Sequence, residues 1–244
     1  MSKLKSNFGY TKVKSTEKTK LVQNVFTEVA KKYDLMNDLM SLGTHRIWKK
    51  KFIDIINPKN NEKIIDVGSG TGDIAKYIIK KKFKGELHLL DLNKKMLDIG
   101  KSILGENKKI YFHKGNAENL FFKDNSFDKY IISFCLRNIT DFKKSIKEAL
   151  RILKPGGIYY CLEFSSPQTE LTSFIYNNYK SKTLPLIGKA VAKNKNAYKY
   201  LSESIDLFPN QKKLKLILKE VGFNNVSYIN LFDGIVSIHK GYKI

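Results

Sequence analysis

Hydrophobic positions along this chain change period near residue 63. From Lys63 onward, short apolar runs alternate with stretches of helical spacing. The runs near 63–67, 86–91, 109–113, 128–134 and 157–163 predict strands, and the segments near 72–82, 93–104 and 141–153 predict helices between them. Alternation of this kind builds βαβ units and a mostly parallel sheet covered on both faces. Lys154-Pro155-Gly156-Gly157 predicts a helix stop and a turn into the fifth strand. Near the end, a lysine-rich amphipathic helix over 210–221 stops at Gly222. Strands near 226–231 and 235–240 follow, separated by the hairpin signal Asp233-Gly234. The expected fold class is α/β: a Rossmann-like, doubly wound, seven-stranded, mostly parallel sheet that closes on an antiparallel hairpin.

Before residue 63 the pattern is helical. Residues 1–14 predict a loose basic arm. Ser15 is a candidate cap for a helix over 17–32, with Leu21, Val22, Val25, Phe26 and Val29 on one face. A second helix carries His45, Arg46 and Trp48 and ends near Pro58. Residues 168–208 mix aromatics with lysines and predict helices forming a lid beside the site. One domain over 1–244 is expected, with 1–58 as a helical cap and 168–208 as a lid-like insertion.

Chemistry enters at the first strand-to-helix junction. Asp66-Val67-Gly68-Ser69-Gly70-Thr71-Gly72 reads as strand end, tight turn and helix N-terminus. Glycine there lets a ligand approach the backbone, and the helix start offers unpaired N–H groups to it. Asp91 ends the second strand, where a carboxylate can accept both ribose hydroxyls of a nucleoside; the alternative is a cap for the helix at 93. These residues admit either NAD or S-adenosylmethionine. Asp73 and Ile74 stand where the dinucleotide fingerprint wants its last glycine, which favours the latter. Asn116-Ala117 and Ser133, at two further strand ends, face the same crevice.

Composition narrows the classes. A hydrophobic share of 42% in 244 residues suits a globular chain. No apolar run reaches the roughly 18 residues of a membrane span, and the polar N-terminus is no secretory signal. Cys135 and Cys161 sit in apolar runs and read as buried reduced thiols of a cytoplasmic protein. The net charge of +22 suits a lysine-rich solvated surface, an anionic membrane surface or nucleic acid. No appended nucleic-acid module accompanies it. Only Arg46, Arg137 and Arg151 among 45 basic residues are arginine, which marks them as places that need a forked, always-charged donor.

Longer motifs carry a resemblance. Tyr33-Asp34-Leu35-Met36-Asn37-Asp38-Leu39-Met40-Ser41-Leu42-Gly43-Thr44-His45-Arg46-Ile47-Trp48 resembles the N-terminal signature of the ubiquinone/menaquinone biosynthesis C-methyltransferases. Arg151 to Gly157 with Glu163-Phe164-Ser165 resembles their second signature. Ser133 to Asn138 and His239-Lys240-Gly241-Tyr242-Lys243 match too, with Cys135 replacing a usual glycine and Lys240 a common arginine. The resemblance implies the class I methyltransferase fold. It also implies methyl transfer from S-adenosyl-L-methionine to a ring carbon of a polyprenylated benzoquinol or demethylmenaquinol. Gly68, Thr71, Asp91, Asn116, Ala117 and Ser133 would contact the cofactor.

For catalysis, Arg137 would stabilise a quinol oxyanion and Asn138 would orient it. His45, or a water held by Tyr33 or Asp34, would serve as base, since arginine is a poor proton acceptor. The alternatives are that Arg137 pairs with a structural carboxylate, that His45 and Trp48 pack the cap, and that Arg151 serves a helix terminus. A membrane-resident acceptor implies peripheral docking at the inner membrane surface, through the basic exterior and the 168–208 region. A homo-oligomer or a biosynthetic complex stays open. So do methylation of RNA or of another small molecule, an NAD-dependent oxidoreductase and a non-catalytic membrane-binding protein.

Overall fold

Strands form where the apolar runs predict them. The computed structural model describes residues 5–30, 35, 37–38, 41–180 and 195–244. Strands β3 (Lys63–Val67), β4 (Glu86–Asp91), β5 (Ile110–Lys114), β6 (Phe127–Ser133) and β7 (Leu153–Phe164) follow β1 (Lys5–Phe8) and β2 (Thr11–Lys14) and precede β8 (Asn224–Leu231) and β9 (Val236–Tyr242). The last seven join in the order β5-β4-β3-β6-β7-β9-β8. β3 to β7 pair in parallel, whereas β9 runs antiparallel to both β7 and β8. The chain leaves β3 in one direction toward β4 and β5, then returns to β3's other edge as β6. That reversal opens a crevice at the carboxyl ends of β3 and β6.

Alternation along each strand feeds two cores. Ile65, Val67, Tyr130 and Ile132 pack under α5 (Phe142–Ile152) and α8 (Gln211–Val221). Ile64, Leu87, Leu89 and Ile131 pack against Trp48, Phe52, Ile53 and Ile56 of α2 (His45–Ile56), and against Ile74, Ala75 and Ile78 of α3 (Asp73–Lys80). Strands buried on both faces are why the runs read as continuously apolar. A smaller cluster joins Val29 of α1 (Ser15–Val29) to Ala197, Tyr198, Tyr200 and Leu201 of α7 (Lys195–Leu207), with Phe8 packed against it.

Several boundaries differ from expectation. Residues 5–14 are not a loose arm but an antiparallel hairpin, with Phe8 opposite Thr11. Its Gly9 turn has φ +55°, and Tyr10 anchors it by donating N–H to Glu203 (3.1 Å) and O–H to Asp206 (2.7 Å) on α7. Those partners lie far along the chain, so local pattern did not reveal them. Ser15 is the first residue of α1, not its cap; Lys14 holds that position without a side-chain bond. The described helix ends at Val29, and the expected extension through Lys32 falls outside the described residues. Lys154-Pro155-Gly156-Gly157 is taken up inside β7 as a bulge, because Phe127 pairs with Leu153 and Lys129 already pairs with Ile158. Of the 168–208 region, α6 (Glu170–Asn178) and α7 are described, and 181–194 lie outside the described residues.

Candidate active site

The glycine turn is built on positive φ. Gly68, Gly70 and Gly72 have φ of +70°, +56° and +79°, a region in which a side chain clashes with its own backbone. Space imposes the same choice at Gly68, where a Cβ would lie 2.1 Å from Cys135 Sγ. The Gly68 N–H donates to the Leu90 carbonyl at 2.7 Å, which ties the turn to the end of β4. Gly72 is the left-handed cap of α3.

Asp91 faces this turn. Its Oδ2 accepts from the Gly70 N–H at 2.9 Å and its Oδ1 from the Asn93 N–H at 2.7 Å. It does not cap the next helix, α4 (Lys94–Leu104), because Asn93 takes that role by accepting from the Met96 N–H. Burial pushes the Asp91 carboxyl up, and the backbone donors only partly offset that. Each oxygen keeps a lone pair for a further donor.

An open cavity lies over these groups. Gly68, Asp91, Asn116, Ala117, Ser133 and Asn138 all line it, so four strand ends and the short 3-10 turn Leu136–Asn138 converge there. Val22 and Phe26 of α1 form its opposite wall. Asn116 Oδ1 also holds its own turn by accepting from the Glu118 N–H at 2.9 Å. Around the glycine turn, several buried polar atoms have no hydrogen-bond partner: both Asp66 oxygens, Ser69 Oγ, Thr71 Oγ1 and Ser133 Oγ. Buried polar groups are almost always satisfied, so such a cluster at one turn marks a place that a polar ligand completes. Burial and the charges of Asp91 and Asp73 push Asp66 up to about 8.

Arg137, His45 and Thr71 stand apart from that cavity's lining. Thr71 is buried, with its backbone carbonyl carbon 3.2 Å from where a Cβ on Gly100 of α4 would lie. Arg137 is also buried. Its Nη1 donates to Glu163 Oε1 at 2.6 Å and to the Phe134 carbonyl at 2.8 Å, and its guanidinium lies 5.2 Å from the Phe164 ring centre. It lines a neighbouring cavity together with Lys18 and Tyr200. Thus the carboxylate pairing foreseen as an alternative for Arg137 is present. His45 is buried on α2 with Nε2 2.8 Å from Asp38 Oδ1, and Arg46 forks onto the same carboxylate at 3.0 and 2.7 Å. The Arg46 bonds, helped by His45, hold Asp38 down to about 2, while burial and Lys49 hold the imidazole below its usual value. Trp48 packs against Phe134, Phe164 and Phe232. Arg151 joins Glu148, Asp124 and two backbone carbonyls, the structural role expected of it. Tyr33 and Asp34 lie outside the described residues. Cys161 is buried, Cys135 only half-buried, and both thiols are free.

Sequence reasoning gave no role to three side chains that shape the site. Asp66 and Glu163 are acids inside apolar strands, and that placement was the available signal. Tyr200 had none: its hydroxyl donates to Asn138 Oδ1 at 3.0 Å across 62 residues.

A family model described as the ubiE/COQ5 methyltransferase family matches residues 11–243. The chain belongs to the ubiE/COQ5 methyltransferase family. It is 49% identical over 246 residues to the ubiquinone/menaquinone biosynthesis C-methyltransferase UbiE of Rickettsia bellii strain OSU 85-389, covering 98% of this chain and 99% of that protein. Identity to the protein of the same name in Rickettsia prowazekii strain Madrid E is 50%, with the same coverage. Among solved structures, an S-adenosylmethionine-dependent methyltransferase from Thermotoga maritima superposes with a TM-score of 0.65 at 19% identity, covering 91% of this chain and 100% of that one. That likeness establishes the class I fold. As a member of the ubiE/COQ5 family, the chain is a C-methyltransferase that uses S-adenosyl-L-methionine. The cavity suits that cofactor: Asp91 has acceptors left for ribose hydroxyls, the glycine turn permits close approach, and Ser133, whose Oγ has no partner, lines it, while Asp66 and Ser69 line a smaller pocket against the same turn.

Proposed function

We propose that this enzyme methylates a ring carbon of a polyprenylated benzoquinol or demethylmenaquinol in ubiquinone and menaquinone biosynthesis. What carries the reading is near-50% identity over almost the whole chain to relatives named for that reaction. S-adenosyl-L-methionine, when bound, supplies an electrophilic methyl group. The chain's own residues must hold donor and acceptor together and favour the ionised quinol, whose ring carbon is then electron-rich. Gly68, Asp91, Asn116, Ala117 and Ser133 form the donor side of the cavity. Asn138 is the polar side chain where the cavity meets the 3-10 turn. Its Oδ1 accepts from Tyr200 and its Nδ2 donates to the Phe134 carbonyl at 3.3 Å, which leaves the second Nδ2 hydrogen to donate toward a quinol oxygen. Arg137 supplies positive charge from the residue before it, steadied by Glu163.

Among the described residues no helix is long and apolar enough to cross a membrane. An acceptor with an isoprenoid tail resides in the bilayer, and this reading has the enzyme meet it from the surface, at a peripheral location on the inner membrane. Mass spectrometry of the quinone pool tests it. Cells lacking the protein should accumulate the ring precursor one methyl group short, and restoring the full chain should clear it. An unchanged pool would overturn the proposal.

A further inference from the structure

We infer that Lys18 of α1 is the proton acceptor for the quinol hydroxyl, acting from the cavity that neighbours the donor cavity. The inference rests on the quinol reading for its substrate. Lys18 is 7% exposed. Among the described residues its Nζ has one hydrogen-bond partner, the Ile139 carbonyl at 3.1 Å, and no paired carboxylate. Buried lysines are almost always paired, and one carbonyl takes up a single N–H. The rest of the amine is left for a partner that the chain itself does not supply.

The cavity shows which partner. Lys18, Arg137 and Tyr200 line it, and Ile139 and Thr140 border both it and the donor cavity. Adjacent residues divide in the same way on two elements: Thr19 and Asn138 line the donor cavity, while Lys18 and Arg137 line its neighbour. Tyr200 joins the two through its bond to Asn138. A ring held at this partition has the Asn138 amide on one side and a buried amine on the other. His45, engaged with Asp38, lines neither cavity.

Neighbouring groups set the protonation of Lys18. Arg137 and Tyr200 share its cavity, and the charge of Glu118 reaches it. Glu118 Oε1 is already held by the Thr140 and Asp141 N–H groups, at 3.1 Å each. Burial keeps the Lys18 ammonium below its usual value, and Glu118 offsets this only in part. An amine so placed holds a proton weakly until an anion forms beside it. The quinol O–H bond breaks, its electron pair stays on oxygen, and an N–H bond forms on Lys18. The ring, made electron-rich, accepts the methyl group and loses its own C–H proton to water. Its oxygen then recovers the proton from Lys18. One proton leaves per turnover and the amine is restored.

The test uses the full-length protein with a benzoquinol and a demethylmenaquinol bearing short isoprenoid chains, kept reduced in detergent. K18M should lower kcat by about a hundredfold or more, while S-adenosylmethionine affinity, measured by calorimetry, stays unchanged. K18R keeps the positive charge and a donor for the Ile139 carbonyl but cannot give up its proton. Followed from about pH 6 to 9, the kcat/KM of the parent should fall on the acidic side, and the K18R profile should lack that limb. A lysine that merely tethers α1 would be replaced by arginine with parental turnover and profile, and that result would overturn the proposal. A parent profile without an acidic limb would overturn it whatever the variants do, even if K18M does not fold. If the parent methylates a quinol and K18M matches it, the role of Lys18 fails alone. If the parent methylates neither quinol, the substrate reading fails and takes this one with it.

Discussion

Arg137 and Glu163 meet at 2.6 Å, with both side chains withdrawn from solvent, directly beside the residue that faces the donor cavity. Burial pushes the Glu163 carboxyl up, and Arg137 together with the Phe164 and Arg137 N–H groups pulls it back. Removing one member of such a pair strands the other, at a cost of about 3–5 kcal/mol. Glu163→Gln should lower the melting temperature markedly. Arg137→Lys keeps the charge and loses the fork that reaches Glu163 and the Phe134 carbonyl together. Its turnover should fall at least tenfold while cofactor affinity, measured by calorimetry, holds. Unchanged turnover would remove Arg137 from the mechanism.

Tyr200→Phe removes one hydrogen bond and should cost only about 1 kcal/mol of stability. It also leaves the Asn138 amide held only by its Nδ2 bond to the Phe134 carbonyl. We expect kcat to fall more than KM rises, with unchanged S-adenosylmethionine affinity. An Asn138→Asp variant should share the kcat defect, because a carboxylate accepts where the amide donates.

Asp91→Asn keeps the shape but replaces one accepting oxygen with a donor that opposes the backbone N–H groups at Gly70 and Asn93. Charge-assisted hydrogen bonds are worth roughly 1.5–3 kcal/mol each, so the cofactor Kd should rise by about tenfold or more. Parallel titration with NAD should show no binding to either protein. NAD binding that the variant abolishes would contradict the assignment of this carboxylate to S-adenosylmethionine.

Asp66 links stability to pH. Its folded-state pKa, pushed up to about 8, lies above the ordinary carboxylate value, so the folded state holds its proton where the unfolded state has lost it. The associated stability is complete below pH ~4 and is lost as pH rises toward 8. Thermal melts of cofactor-free protein from pH 5 to 9 should therefore decline more steeply for the parent than for Asp66→Asn. Parallel profiles would mean that Asp66 ionises normally.

Gly68 and Cys135 form a size-coupled pair. Gly68→Ala should destabilise the protein through contact with Cys135 Sγ and through its φ of +70°. Adding Cys135→Gly should recover the contact part and leave about 1–2 kcal/mol of backbone strain. A double-mutant cycle on thermal stability separates the two, and strict additivity would show that the pair does not touch.

Strand and helix order, the sheet's closing hairpin and the glycine turn were legible because each is written within a short window of sequence. Asp91 was placed correctly beside the turn by spacing alone. The face of Arg137 was not legible: one step along a 3-10 turn decides whether a side chain enters the donor cavity or the neighbouring one, and sequence patterns do not resolve a step of that kind. The N-terminal hairpin escaped because its lysines and polar residues look solvated until Glu203 and Asp206 stand opposite Tyr10. Glu163 was visible as an acid among apolar residues, yet its partner came from another strand's end.

That hairpin has a consequence for how the enzyme is made. Tyr10 finds its partners 193 and 196 residues later, and Phe8 stacks on Tyr200 at 4.3 Å. Residues 5–14 thus leave the ribosome long before the partners that fix them. The wall that α1 lends to the cavity is adjoined by a segment that cannot dock until α7 has been synthesised. A nascent chain stalled before residue 200 cannot yet seat this hairpin, so its docking follows the synthesis of α7.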